Sequence, residues 1–449
     1  MFLDSLPVEL VNSICHHLQR ADCCSLRLSC RACYAKSRTA FAARYMKQIN
    51  VLTTEEGFRR LNDIASHDLF RKQVEEICIV PDVFRFQYKL IYANLEVDGE
   101  HAGCQESWTS KEEKAKFITY EAAVAYNVRL VQTDLLFEIL ASCFKRFGKL
   151  SVVGMERPPV NSFGGFKAYY GYIRSLRRKQ TQTHCHFPWK PYSMRAVVFS
   201  AILKALAASD VQIKGLSTCS AGMRKRRCGG LVLKSLTVPE SQQIALSSNF
   251  RDLQSLHLCS HHEEEAMHPA FEFLLRLLLT TPPSLTALEL SSWTSGLVRD
   301  PKLFLQLSET ISFTRLSKLD LHSIDITQAS LAAFLRTAGP TLQTLTLMWV
   351  NFTDLLRPTS NAQAYNDELA GLWRRIDDTL REALTAIRSL SLTEITHQRR
   401  ILRLVGPIDE VGSSSRIIDG DEIKWAADQD QVSFASWIGQ VGLDTSAPH

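Results

Sequence analysis

The feature that most constrains the fold is an apolar skeleton, L-x-x-L-x-L, that returns along the chain. Its leucine copies are Leu253/Leu256/Leu258, Leu285/Leu288/Leu290, Leu316/Leu319/Leu321 and Leu342/Leu345/Leu347, and Ile387/Leu390/Leu392 is a last one. Looser copies stand earlier, as Val74/Ile77/Ile79, Phe147/Leu150/Val152 and Leu233/Leu236/Val238. The closing L-x-L alternates as a strand does, with successive side chains on opposite faces. The first four leucine copies are spaced by roughly 30 residues, enough for a strand and a helix. Between them, Phe271, Leu274, Leu275 and Leu278 share a helical face. So do Leu331, Phe334 and Leu335 behind Thr327, which has the chemistry of an N-cap. Strand followed by helix, repeatedly, requires an α/β fold with a parallel sheet and right-handed crossovers.

That grammar resembles the leucine-rich repeat, and the resemblance implies an irregular solenoid of parallel strands with helical crossovers. The asparagine ladder of the consensus is missing, because Ile324 and Val350 stand where Asn or Cys is expected. Long excursions interrupt the array between Val80 and Lys149 and between Val153 and Gly230, with a shorter one from Phe352 to Arg388. In a horseshoe the leucines point into the core and the residues between them line the concave side. Those residues are Ser255, His257, Glu289, Lys318, Asp320, His322, Thr344, Thr346 and Met348. They make a small polar surface of mixed charge, suited to hydrogen-bonded recognition of a polypeptide. The excursions are the competing place for a substrate.

The N-terminal residues read differently. Leu6, Leu10, Ile14 and Leu18 repeat every four positions and form one stripe on a helix, with Pro7 suited to its first turn. Asp22 reads as the N-cap of a second helix with Leu26 and Cys30 on its inner face. A third helix is expected over Ala32–Lys47, and another over Glu55–His67. So small a unit has more apolar surface than it can bury alone.

The run Leu6-Pro7-x-Glu9-Leu10, with Ile14, Leu18, Asp22, Leu26-Arg27-Leu28, Cys30-Arg31 and Tyr34, resembles the F-box. Cys23-Cys24 replace two usual leucines, and Tyr34 stands where many members have Trp. The resemblance implies a three-helix module that docks on the Skp-type adaptor of a cullin–RING ubiquitin ligase. Leu6, Pro7, Leu10, Ile14, Leu18 and Leu26 are its implied contact residues. An F-box followed by a leucine-rich region is similar to a broad class of fungal F-box proteins. The expected organisation is an F-box over residues 1–48, a helical linker over 49–73, the repeat region over 74–405 and a polar tail or small appended element over 406–449. The implied function is a non-catalytic substrate adaptor. The rivals are a scaffold acting outside ubiquitination and an enzyme with a scattered site.

Composition agrees with a globular chain: 45% of its 449 residues are hydrophobic and 22% charged. A net charge of +5 does not suggest a dedicated nucleic-acid binder. Arg224-Lys225-Arg226-Arg227 reads as a solvated loop or a nuclear-localisation signal. Asp4 interrupts the N-terminus before any apolar run, so a cytoplasmic or nuclear protein with thiol cysteines is expected. Motifs for chemistry begin and fail. Cys30-Arg31-Ala32-Cys33 lacks a second zinc knuckle, and His262 is followed four residues on by Ala266 rather than His. His184-Cys185-His186 stands alone. Phe163 to Arg178 mixes aromatics and arginines without a phosphate-binding motif. No catalytic residue, metal or cofactor is assigned.

Overall fold

The computed structural model describes residues 5–81, 126, 129–130, 133–155, 194–218, 231–232, 240–261, 284–292, 302–354, 362–397, 400–401, 404–405, 422–426, 433–438 and 441–443. The expected helix around Phe271, the copy at Leu233/Leu236/Val238, the basic run Arg224–Arg227, His184–His186, His262 and the aromatic–arginine excursion lie outside them. The chain divides into two compact units, Met1–Ile213 with Val238–Asn249, and Lys214–Thr237 with Phe250–His449. No described helix is long and apolar enough to cross a membrane.

The first unit opens with three helices, α1 (Val8–His17), α2 (Arg20–Ser29) and α3 (Arg31–Tyr45). Their shared core is Val11, Cys15, Cys23, Ala40 and Phe41, with Leu6, Leu18, Leu26 and Tyr45 packed against it. Polar groups of α3 hold α1 in place. Lys36 Nζ donates to the Leu6 carbonyl at 2.7 Å, Arg44 Nη1 to the Cys15 carbonyl at 2.9 Å and Tyr45 Oη to the Leu18 carbonyl at 2.8 Å. Arg44 thereby places a cation at the negative end of α1. Three local expectations change. Pro7 precedes α1 rather than sitting in its first turn, and Asp22 lies inside α2, which starts after Gln19. Cys30 is exposed rather than inward: its Sγ accepts the Cys33 N–H and caps α3.

Strand β1 (Gln48–Leu52) follows, then α4 (Glu55–Ser66), β2 (Glu76–Val80) and, later, β3 (Val152–Met155). The three strands are parallel, with Ile49, Ile77 and Val153 in register. The segment expected as a helical linker therefore supplies a strand before its helix. Helices Asp68–Arg71, Leu135–Phe144, Met194–Ala207 and Glu240–Asn249 also belong to this unit.

In the second unit the strands are β4 (Gly215–Ser217), β5 (Leu231–Val232), β6 (Ser255–His261), β7 (Ala287–Ser292), β8 (Lys318–His322), β9 (Asp325–Ile326), β10 (Thr344–Met348), β11 (Asn351–Phe352), β12 (Ser389–Thr393), β13 (Thr396–His397), β14 (Arg400–Ile401), β15 (Leu404–Val405), β16 (Glu422–Ala426) and β17 (Gly442–Leu443). The main sheet runs β4-β6-β7-β8-β10-β12-β16, parallel until β16, which is antiparallel to β12. Helices Lys302–Thr310, Gln328–Ala338 and Ala362–Ala383 are the described crossovers, so most of the Phe352–Arg388 excursion is helix. Thr327 caps the second of them reciprocally with Ser330, as its position suggests. Phe304 and Phe313 meet Phe334 with ring centroids 5.3 and 5.2 Å away, joining successive crossovers.

One hydrogen-bond device recurs at seven strand entries among the described residues. The carbonyl one residue after the first apolar position accepts two successive N–H groups of the next copy. Lys47 serves Glu75 and Glu76, and Glu75 serves Ser151 and Val152. In the second unit Lys214, Gln254, Thr286, Ser317 and Gln343 do the same for their successors, at distances between 2.7 and 3.0 Å. This device fixes the repeat frames. The copy read as Phe147/Leu150/Val152 is in fact Leu150/Val153/Met155, because Val152 pairs with Glu76 and is only half-buried. Met46/Ile49/Val51 and Ile213/Leu216/Thr218 are further copies, with threonine at the last position of the second. The leucines of the five later copies are all buried, as the pattern requires.

Each of the last three parallel strands ends in a left-handed residue, Ser323 (φ 53°), Trp349 (φ 53°) or Glu394 (φ 46°). An apolar residue follows and is buried: Ile324, Val350 or Ile395. Next comes a polar residue, and these form a ladder that the sequence reading lacks. Asn351 Nδ2 donates to Asp325 Oδ1 at 3.1 Å, and Thr396 Oγ1 donates to Asn351 Oδ1 at 3.1 Å. The ladder lies one residue beyond the place where the consensus puts asparagine.

Gly339 sits where the end of helix Gln328–Ala338 touches the end of helix Ala362–Ala383. A Cβ there meets the Ala383 carbonyl oxygen at 2.4 Å, and backbone cannot rotate away. Gly339→Ala should therefore destabilise the second unit by about 1–3 kcal/mol, read as a lower urea midpoint with unchanged m-value.

Candidate functional site

Two surfaces carry the expected binding residues, one in each unit. In the three-helix module α1 turns Val11 and Cys15 inward, which rotates the i, i+4 stripe to the rim of the core. Leu6, Ile14, Leu18 and Leu26 are half-buried, while Pro7 is exposed and Leu10 is 51% exposed. Six large hydrophobics are exposed among the described residues, and four of them, Val8, Leu10, Leu28 and Tyr34, lie in this module. Leu28 is 85% exposed. Arg27 stacks over Phe41, its Cζ 3.8 Å from the ring centroid, and so shields the core beside Leu28. The module is stapled inside and still presents four large apolar side chains outside, which is the physical profile of a docking surface.

On the second unit's sheet, the face opposite the leucines carries the other residues in rows across the strands. Ser255, Lys318 and Thr344 share the first row, with Ala287 between the first two. His257, Glu289, Asp320 and Thr346 make the second, which continues to Ser391 and Lys424. His322 and Met348 lie in the third. The surface is less open than expected, since His257, Asp320 and Met348 are buried.

The second row forms an electrostatic cluster with Lys318 of the first and His322 of the third. His257 Nε2 lies 2.5 Å from Glu289 Oε1, and His322 Nε2 lies 4.0 Å from the same oxygen. Lys318 Nζ is 2.8 Å from Asp320 Oδ2. Burial pushes the His322 pKa below 6.5, although Glu289 and Asp320 pull it the other way. Reversing the charge of half-buried Glu289 or buried Asp320 sets a cation against His257 or Lys318, so neutral substitutions are the informative ones.

The sequence pattern did not include Ser391 or Lys424 in the row. Ser389-Leu390-Ser391-Leu392 carried a signal for the first, since it repeats the alternation. Lys424 had none, because its strand is antiparallel and belongs to the expected tail. Also unread were the left-handed turn at Trp349 and buried His397, whose Nε2 and Nδ1 lie 3.0 Å from the Asp354 carbonyl and 3.2 Å from Tyr365 Oη.

No protein-family model matches the chain, and no curated protein matches it either.

The depressed His322 pKa has a consequence for stability. Below pH 6.5 the unfolded chain binds a proton at this residue that the folded chain resists, so stability falls as pH drops through that value. Its imidazole resonances should titrate below 6.5, and His322→Gln should flatten the slope of stability against pH on the acid side. An ordinary His322 titration together with an unchanged slope contradicts the assignment.

Proposed function

We propose that this chain is a non-catalytic substrate adaptor of a Skp–cullin–F-box ubiquitin ligase, working in the cytoplasm or nucleus. In this reading α1–α3 form an F-box that holds the Skp-type subunit. The parallel strands with helical crossovers form an irregular leucine-rich-repeat array, and its polar strand face holds a protein substrate for ubiquitin transfer by other subunits. The observation that carries the reading is the exposure of Val8, Leu10, Leu28 and Tyr34 in a module whose own core is already closed around Val11, Cys15, Cys23 and Phe41. Leu10, Leu28 and Tyr34 are among the residues that resemble the family's motif. The recurring entry carbonyl, the left-handed turn and the polar ladder support the repeat reading, since each returns at the same place in successive copies.

The test separates docking from folding. Leu6, Leu18 and Leu26 pack on the module's core, so truncating them disturbs the fold as well as the surface. Pro7 and Leu10 are exposed, and Pro7→Ala with Leu10→Ala should leave thermal unfolding nearly unchanged. Affinity for a purified Skp-type subunit should fall by roughly 10- to 100-fold, the scale of truncated apolar anchors. Wild-type affinity in the double variant refutes the proposed docking edge.

A further inference from the structure

Glu289 and Asp320 are register partners on adjacent parallel strands, so two carboxylates stand side by side on one face. Like charges in that position destabilise a sheet unless something offsets them. Asp320 is only 7% exposed, and its Oδ1 is shielded from solvent with no hydrogen-bond partner among the described residues. A buried, unsatisfied carboxylate oxygen is costly and calls for a cause. The Lys318 ammonium meets Asp320, 2.8 Å from its Oδ2. It comes from a side chain that is 48% exposed and free to swing on a flexible stem. Thr346, the register partner of Asp320 on the other side, brings a neutral hydroxyl rather than a second cation.

We infer that the Glu289–Asp320 pair is a receptor for one basic side chain, lysine or arginine, of a bound polypeptide, and that Lys318 is a tethered stand-in which the incoming cation displaces. His257 and His322 face Glu289 and Lys318 meets one oxygen of Asp320, so Asp320 Oδ1 is the acceptor of the cluster that stays unsatisfied. The orphaned Oδ1 supplies the acceptor which a guanidinium or ammonium, approaching once Lys318 has moved, satisfies. His257 holds Glu289 from its far side and keeps that carboxylate from turning to solvent. This inference rests on the reading that the strand face holds a protein substrate, and it narrows that substrate to one presenting a basic residue.

The sign of a single substitution decides it. The probes are Nα-acetyl-lysine methylamide, Nα-acetyl-arginine methylamide and Nα-acetyl-glutamate methylamide, titrated into the full chain with the His257 and His322 imidazole resonances as readout. Both basic probes should shift those resonances and the acidic probe should not. Lys318→Met should tighten binding of the basic probes by about three- to fivefold, since it removes a competing exposed ion pair. Asp320→Asn should abolish binding at unchanged melting temperature. Where that variant melts early, Glu289→Gln takes its place with the same expectation. Weaker or unchanged binding in Lys318→Met overturns the inference, as does binding of the acidic probe. A response to zinc chloride with none to either amine overturns it too, and makes the cluster a metal centre. Capture of the Skp-type subunit is read separately through Pro7 and Leu10, so loss of amine binding with capture intact sinks this inference alone.

Discussion

Within each unit, successive parallel strands are tied together by a carbonyl that serves two neighbours. The residue after the first apolar position, from Lys47 in one unit to Gln343 in the other, accepts N–H groups from two successive residues of the next copy. A single acceptor thereby fixes where the next strand starts, to the residue. Side chains in a strand alternate faces, and a slip of one position would exchange leucines for polar residues throughout. The entry carbonyl forbids that slip. Everything on the polar face depends on it, because His257, Glu289, Asp320 and Thr346 are neighbours only in this register.

The N-terminal module solves a different problem with similar economy. Three short helices bury few large side chains, and cysteines occupy core positions where bulkier residues would add contact area. Part of the holding is done by polar groups instead. Lysine, arginine and tyrosine of α3 reach the carbonyls of Leu6, Cys15 and Leu18, so the ends of α1 are anchored without burying its outer leucines. That division leaves Leu10 and Leu28 outside. Burial, with the Cys15 side chain beside it, also raises the Cys23 thiol to about 11, so Cys23 behaves as a small apolar group at neutral pH.

The leucine frames were legible in the chain because a buried strand tolerates few alternatives at its inward positions. Leu253 through Leu392 could be read from spacing alone, and the structure buries all of them. The frames that escaped are those where another residue type fills the pocket. Met155 closes the copy begun by Leu150, and Thr218 closes the one begun by Ile213, using its hydroxyl to accept the Cys259 N–H at 2.7 Å. Second-unit polar positions were placed on the correct face but not at the correct depth. Pattern gives the direction in which Asp320 points; it does not give Lys318 and the neighbouring strands that bury it. The ladder of Asp325, Asn351 and Thr396 was invisible for a related reason, since three different residue types share one hydrogen-bonding task.

The last strand of the main sheet, Glu422–Ala426, runs against all its predecessors. Its flank is fastened locally, with Trp425 against Phe434 at 5.2 Å between ring centroids and Trp373 Nε1 donating to the Val441 carbonyl at 3.1 Å. A reversed strand offers its carbonyls in the opposite sense and has no entry residue placed for a parallel successor. Growth of the array by tandem duplication is therefore closed at this edge. Any gain or loss of copies in the course of evolution has to occur upstream of Ser389, and a duplicated segment arriving there inherits both an acceptor before it and a donor pair after it.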